Sequence, residues 1–66
     1  MRIDSIKIKL LMADLGINQS VLAERCGISK QSISAMLTRG TCSIPKVGKV
    51  AKALGVDSRE IVKDNS

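Results

Sequence analysis

Lys30, Gln31, Ser34 and Ala35 stand within one short stretch, with Gln19 upstream and Ser29, Ser32, Arg39, Thr41, Ser43 and Lys46 close around it. A lysine donates hydrogen bonds, a primary amide donates and accepts side by side, and a serine hydroxyl does either. An alanine methyl adds a small apolar contact. Together such groups suit a planar edge of donors and acceptors, the kind a base pair presents in the major groove. In that chemistry Gln31 pairs bidentately with adenine, Lys30 donates to guanine O6/N7 and Ala35 touches a thymine methyl, each good contact contributing roughly 1–3 kcal/mol of discrimination. The competing reading of Lys30 and Gln31 is an ordinary solvated helix face.

The charge pattern favours a polyanionic partner. Lys and Arg number 11 against 6 Asp and Glu, for a formal net charge of +5. Between residues 25 and 56 lie Arg25, Lys30, Arg39, Lys46, Lys49 and Lys52, with no acid among them. A block of one sign in an otherwise mixed chain is the footprint of a polyanion binder, although a merely solvated basic surface looks the same. Phe, Trp and Tyr are absent, which argues against single-strand recognition by base stacking. Catalytic parts are missing: there is no His, no Gly-rich phosphate loop, no metal-ligand set and no pair of carboxylates on one helical face. We therefore expect no enzyme, no cofactor, no metal and no small-molecule ligand.

The elements that must position these groups are short. A chain of 66 residues makes one small domain, expected over residues 1–66, that buries only about 60% of the surface its unfolded chain exposes. Self-association is the natural source of added stability. No apolar run is long enough to span a bilayer and no secretory signal is legible. The expectation is a cytoplasmic protein without membrane contact, its Cys26 and Cys42 reduced. Their spacing alone would permit a bridge.

Helical spacing and glycine punctuation divide the chain into five helices, near residues 5–15, 19–26, 30–38, 45–54 and 58–63. The first carries Ile8, Leu11, Met12 and Leu15 on one face, with Asp4 or Ser5 as cap. Ile6, Ile8 and Leu10 also alternate as a strand would; in the helical reading Ile6 and Leu10 point away and need another partner. Asn18 caps the second helix, whose inward stripe is Leu22, Ala23 and Cys26. Ser29 caps the third, with Ile33, Met36 and Leu37 inward. At 100° per residue, Gln31, Ala35 and Thr38 then centre its opposite face, and Lys30 projects from its N-terminal tip. Pro45 suits the first turn of the fourth helix, which buries Val47, Val50, Ala51 and Leu54. Asp57 and Glu60 resemble a capping box for a fifth helix bearing Ile61 and Val62.

Gln19 to Leu37, reading QSVLAERCGISKQSISAML, has the make-up of a helix-turn-helix. Ala23 is small where two helices must lie close, Gly27 frees the turn, Ile28 plugs it and Ile33 anchors the next helix. From about Ser5 to Val62 the chain resembles the Cro/C1 repressor family of phage and bacterial regulators. The marks are Asn18-Gln19, the Leu22-Ala23 to Gly27 turn, Ser29-Lys-Gln-Ser-Ile33 and Ala51-Lys-Ala-Leu-Gly-Val56. The resemblance implies an all-α, compact five-helix bundle of the lambda-repressor-like type, whose helices 2 and 3 form the helix-turn-helix. It further implies binding of double-stranded operator DNA as a homodimer, with the third helix in the major groove.

On that reading Lys30, Gln31, Ser34 and Ala35 contact bases. Gln19 matches the family's backbone-contacting glutamine, and Ser29, Ser32, Arg39, Thr41, Ser43 and Lys46 are the other phosphate candidates. Ser29 is equally well explained as a cap. Lys49 and Lys52 read as solvated charges. Ile6, Leu10, Ile61 and Val62 are candidates for the dimer contact, or else complete the core. Two departures stand out. Met12 occupies the place of a phosphate-binding arginine common in the family, for which Lys9 could substitute, and the turn after the third helix differs in length. Cys26 falls at a small buried position, whereas Cys42 is expected exposed in a polar loop. The rival function is a protein-interaction module, such as an antitoxin or antirepressor, since fold alone does not settle function.

Overall fold

The computed structural model describes residues 1–63. Four α-helices follow one another among them: α1 (Ser5–Leu15), α2 (Gln19–Cys26), α3 (Lys30–Arg39) and α4 (Ile44–Leu54). Three have side-chain caps, which fix where each begins. Asp4 accepts from the Lys7 N–H, Asn18 from that of Val21 and Ser29 from that of Ser32. These bonds satisfy donors that have no partner inside the helix. Helix α4 lacks such a bond and starts instead with Ile44 and Pro45, whose fixed φ suits a first turn. The strand-like alternation of Ile6, Ile8 and Leu10 gives way to helix.

Gly27 ends α2 with φ 72°, and Gly40 ends α3 with φ 71°. A residue with a Cβ resists that conformation. Gly27 lets the chain turn within three residues, so that α2 packs against both α3 and α4. Helix α4 in turn packs on α1 and on the segment after it. The shared core holds Ile8 and Met12 of α1, Leu22, Ala23 and Cys26 of α2, Ile33, Met36 and Leu37 of α3, and Val47, Val50, Ala51 and Leu54 of α4. Leu15 departs from its expected inward face and is 47% exposed. It lies in the last turn before the chain reverses, and Ile17 beyond that turn packs on the core instead.

The expected fifth helix is a single 3-10 turn, Ser58–Glu60. Asp57 does cap it, accepting from the Arg59 N–H. The capping box does not close, because Glu60 reaches Lys7 Nζ at 2.9 Å rather than back to its own turn. What stops the helix is a non-local pairing. The Ile61 carbonyl accepts from the Asp4 N–H at 2.8 Å, and the Lys63 N–H donates to the Arg2 carbonyl at 3.0 Å. On its other side the same N-terminal arm pairs with the α3–α4 loop, through Ile3 N–H to the Gly40 carbonyl and Cys42 N–H to the Met1 carbonyl. These are isolated antiparallel bridges, Arg2 with Thr41 and Ile3 with Val62. Ile3 sits beneath them, 3% exposed.

Ile61 is fully buried. It belongs to the core of its own chain and has no surface to offer a second subunit. Val62 is half-buried, while Ile6 and Leu10 are 70% and 61% exposed. Both cysteines are free. Cys42 is half-buried against the core rather than exposed, held there by the arm. No helix among the described residues is long and apolar enough to cross a membrane.

Candidate nucleic-acid interface

Helix α3 is amphipathic, and its two faces have separate surroundings. Ile33 is fully buried, with Met36 and Leu37 beside it in the core. Lys30, Gln31, Ser34, Ala35 and Thr38 are all exposed. The core face is set by the 3.6-residue period and the anchor at Ile33, four residues beyond the Ser29 cap. Ser29 Oγ accepts from the Ser32 N–H at 3.1 Å and also donates to Ser32 Oγ at 3.0 Å. Ser29 thus performs the capping role. Ser32, held to it, is half-buried on the flank of the exposed strip.

Two depressions flank that strip. At the N-terminal tip, Asn18, Gln19, Ser20 and Lys30 line one of them. The start of α2 therefore lies beside the start of α3. Within α2 the first N–H bonded in the helical manner is that of Leu22, to the Asn18 carbonyl, and the Asn18 side chain takes the Val21 N–H. The Gln19 and Ser20 N–H groups precede these, at a helix end where the dipole favours negative charge. A half-buried Gln19 amide on the same edge completes a surface suited to a phosphate.

On the other side of α3, Ser32, Ala35, Arg39, Thr41, Ser43 and Lys46 line a depression of about 580 Å³ with Met1, Met36 and Cys42. Five of the seven expected phosphate-contacting side chains are thus brought together there, and they come from three elements: α3, the loop after it and the start of α4. Gln19 lies apart on the first depression, and Ser29 is exposed at the α3 cap. Met1 and Ser20 are members of these surfaces that sequence reasoning missed. No local signal marks Met1, because only the pairing of the arm with Thr41 and Cys42 carries it there. Ser20 could have been found from its place at the second position of a capped helix.

The electrostatics agree with the geometry. Among the described residues the ion pairs are Lys7–Glu60 and Arg59–Asp57, and neither involves Lys30, Arg39 or Lys46. These three cations keep their charge available to an outside anion. Met12 is buried and cannot serve a phosphate, whereas Lys9 is exposed on α1. Burial pushes the Cys42 thiol above its ordinary value, against the opposing pull of the N-terminal ammonium and Lys46. Cys26, buried and near the Lys49 carbonyl at 3.8 Å, is raised for the same reason. Both thiols are therefore poor nucleophiles at neutral pH. No group of His, Cys, Asp or Glu among the described residues could hold a metal ion.

The helix-turn-helix family model matches residues 8–61. No curated protein and no solved structure matches the chain. The matched span contains α2, the Gly27 turn, α3 and α4 whole, together with the burial pattern that the motif requires. This chain therefore belongs to the Cro/C1-type helix-turn-helix family of DNA-binding regulators.

Proposed function

We propose that the protein is a transcriptional repressor that binds an inverted-repeat operator as a homodimer, laying α3 in the major groove of each half-site. The observation that carries this reading is the exposed strip Lys30, Gln31, Ser34 and Ala35 on a helix whose opposite face is closed in the core. In the proposed complex Gln31 pairs with adenine, Lys30 with guanine, and Ser34 and Ala35 complete the base contacts. Gln19 with the α2 N-terminus grips one phosphate. Ser32, Arg39, Thr41, Ser43 and Lys46 hold the backbone on the other side, with Ser29 at the edge of the α3 tip. Repression follows from occupancy: a promoter covered by the dimer is closed to polymerase.

Two copies must place their α3 helices about 34–36 Å apart to meet successive major grooves. One copy measures 31 × 22 × 18 Å, so only its longest dimension approaches that spacing.

Selecting duplexes from a random pool tests the reading, followed by a salt titration on the selected site. The expected result is a two-fold consensus with half-sites one helical turn apart. Affinity should also fall steeply with salt, because several phosphate contacts release counterions. A pool that yields no consensus, or binding indifferent to salt, would instead favour the protein-interaction module, with antitoxin or antirepressor co-purification as its mark.

A further inference from the structure

Helices α1, α2 and α3 each begin on a side chain that accepts from their own first turn, but α4 does not. Ser43 stands at its cap position with no side-chain bond to the helix. A serine there ordinarily turns its hydroxyl onto the second or third N–H. Here the hydroxyl is spared. Ser43 lies exposed on the depression it shares with Arg39, Thr41 and Lys46, so something other than a local cap must hold the start of α4.

The N-terminal arm does so. The Cys42 N–H donates to the Met1 carbonyl at 3.0 Å, and the Ile3 N–H to the Gly40 carbonyl at 2.9 Å. The bridge between Arg2 and Thr41 lies between these two bonds. Side chains alternate along such an extended pairing. Cys42 turns inward and is half-buried against the core, while Thr41 and Ser43 are both exposed on the same depression. One step of register in either direction would exchange them.

The arm is in turn fixed from behind. The Lys63 N–H donates to the Arg2 carbonyl, and the Asp4 N–H to that of Ile61. Of the first three residues only Ile3 is buried, and its side chain belongs to the core. We infer that Ile3 is a positioning residue for the phosphate grip, setting the α3–α4 loop in the register that turns Thr41 and Ser43 outward together. The inference rests on the operator reading and deepens it. A loop ordered before DNA arrives loses less freedom on binding than one ordered by the DNA. Ile3 itself touches no phosphate; it acts through Gly40, Thr41 and Cys42.

A double-variant cycle on the full chain tests this, read by fluorescence anisotropy on the selected operator duplex. Circular dichroism gives the folded fraction of each variant, to which every affinity is referred. Thr41→Ala/Ser43→Ala should weaken binding roughly tenfold when Ile3 is present and about twofold or less beside Ile3→Ala. Gln31→Ala should cost the same in both backgrounds, because its base contact does not run through the loop. Met12→Ala, a change at a buried position of α1, should leave the full tenfold loss. Ile3→Val supplies a folded variant for the cycle should Ile3→Ala not fold, with a loss between the two. Amide hydrogen exchange of the free protein should show the Cys42 N–H protected in the wild type and less so in the Ile3 variants. Equal losses in every background, or a Cys42 amide equally protected in those variants, would overturn the inference and leave the operator reading intact. A wild type that binds no duplex would end the operator reading, and the inference with it.

Discussion

The Ser5 hydroxyl donates a 2.8 Å hydrogen bond to the carbonyl of Leu37, so the first residue of α1 closes the last turn of α3. The Leu37 carbonyl is one of the final four of its helix and has no acceptor role left within it. A side chain 32 residues away in sequence thus fixes the end of the helix whose exposed strip forms the candidate interface. Ser5→Ala should lower stability by about 1 kcal/mol. In a domain of this size that shifts the thermal midpoint by roughly 4–8 °C, which a calorimetric or circular dichroism melt reads directly. An unchanged melt would mean that water replaces the hydroxyl without loss.

Side chains along α3 and beside it should separate by kind. Gln31→Ala should relax base preference at one position, costing about 1–3 kcal/mol on the preferred site and little elsewhere. Arg39→Ala and Lys46→Ala should weaken binding to all sequences alike, each reducing the salt slope by about 1. Lys30→Ala should do some of both. All four positions are exposed or half-buried, so the helical circular dichroism should not change. A parallel loss across sequences for Gln31→Ala would reassign that residue to the backbone.

The N-terminal arm should matter to stability beyond its length. Ile3 is 3% exposed and is held between the α3–α4 loop and the C-terminal segment. Ile3→Ala should cost about 2–5 kcal/mol, a large share of what so small a domain holds, and Ile3→Val about 0.5–1.5 kcal/mol. Urea denaturation measures both. Near-equal values for the two variants would show that the arm detaches rather than leaving a cavity.

Acid should weaken the cap of the C-terminal turn. The Asp57 carboxylate accepts from the Arg59 N–H at 2.9 Å and faces the Arg59 guanidinium at 3.4 Å. The backbone hydrogen bond foremost, then the arginine charge, hold its pKa below the ordinary 3.8. A carboxylate depressed in the folded state contributes stability above its unfolded pKa, and that contribution fades as pH falls through the folded value. Stability should therefore decline as pH drops below about 4, and the decline should be shallower in Asp57→Asn. Superimposable pH profiles for the two proteins would rule the carboxylate out.

Short-range rules made most of the helical framework legible. Asp4, Asn18, Ser29 and Asp57 all cap as their types suggest, because a cap involves only residues two or three positions apart. The inward stripes of α2, α3 and α4 follow from period alone, and with them the outward position of Lys30, Gln31, Ser34 and Ala35. The acid-free window was equally plain, since charge is a property of side-chain type.

What only the tertiary structure decided is everything that joins distant segments. Residues 61–63 have a helical pattern, yet their backbone groups are engaged by the N-terminal arm, so the fifth helix stops as one 3-10 turn. Glu60 turns to Lys7, 53 residues away, instead of closing its own cap. Ile61 enters the core while Ile6 and Leu10 stay in water, although all are apolar residues at helical spacing. Periodicity tells a residue which side of its own element it occupies. Which of those sides meets another segment depends on non-local pairing, and no window of neighbouring residues contains that information.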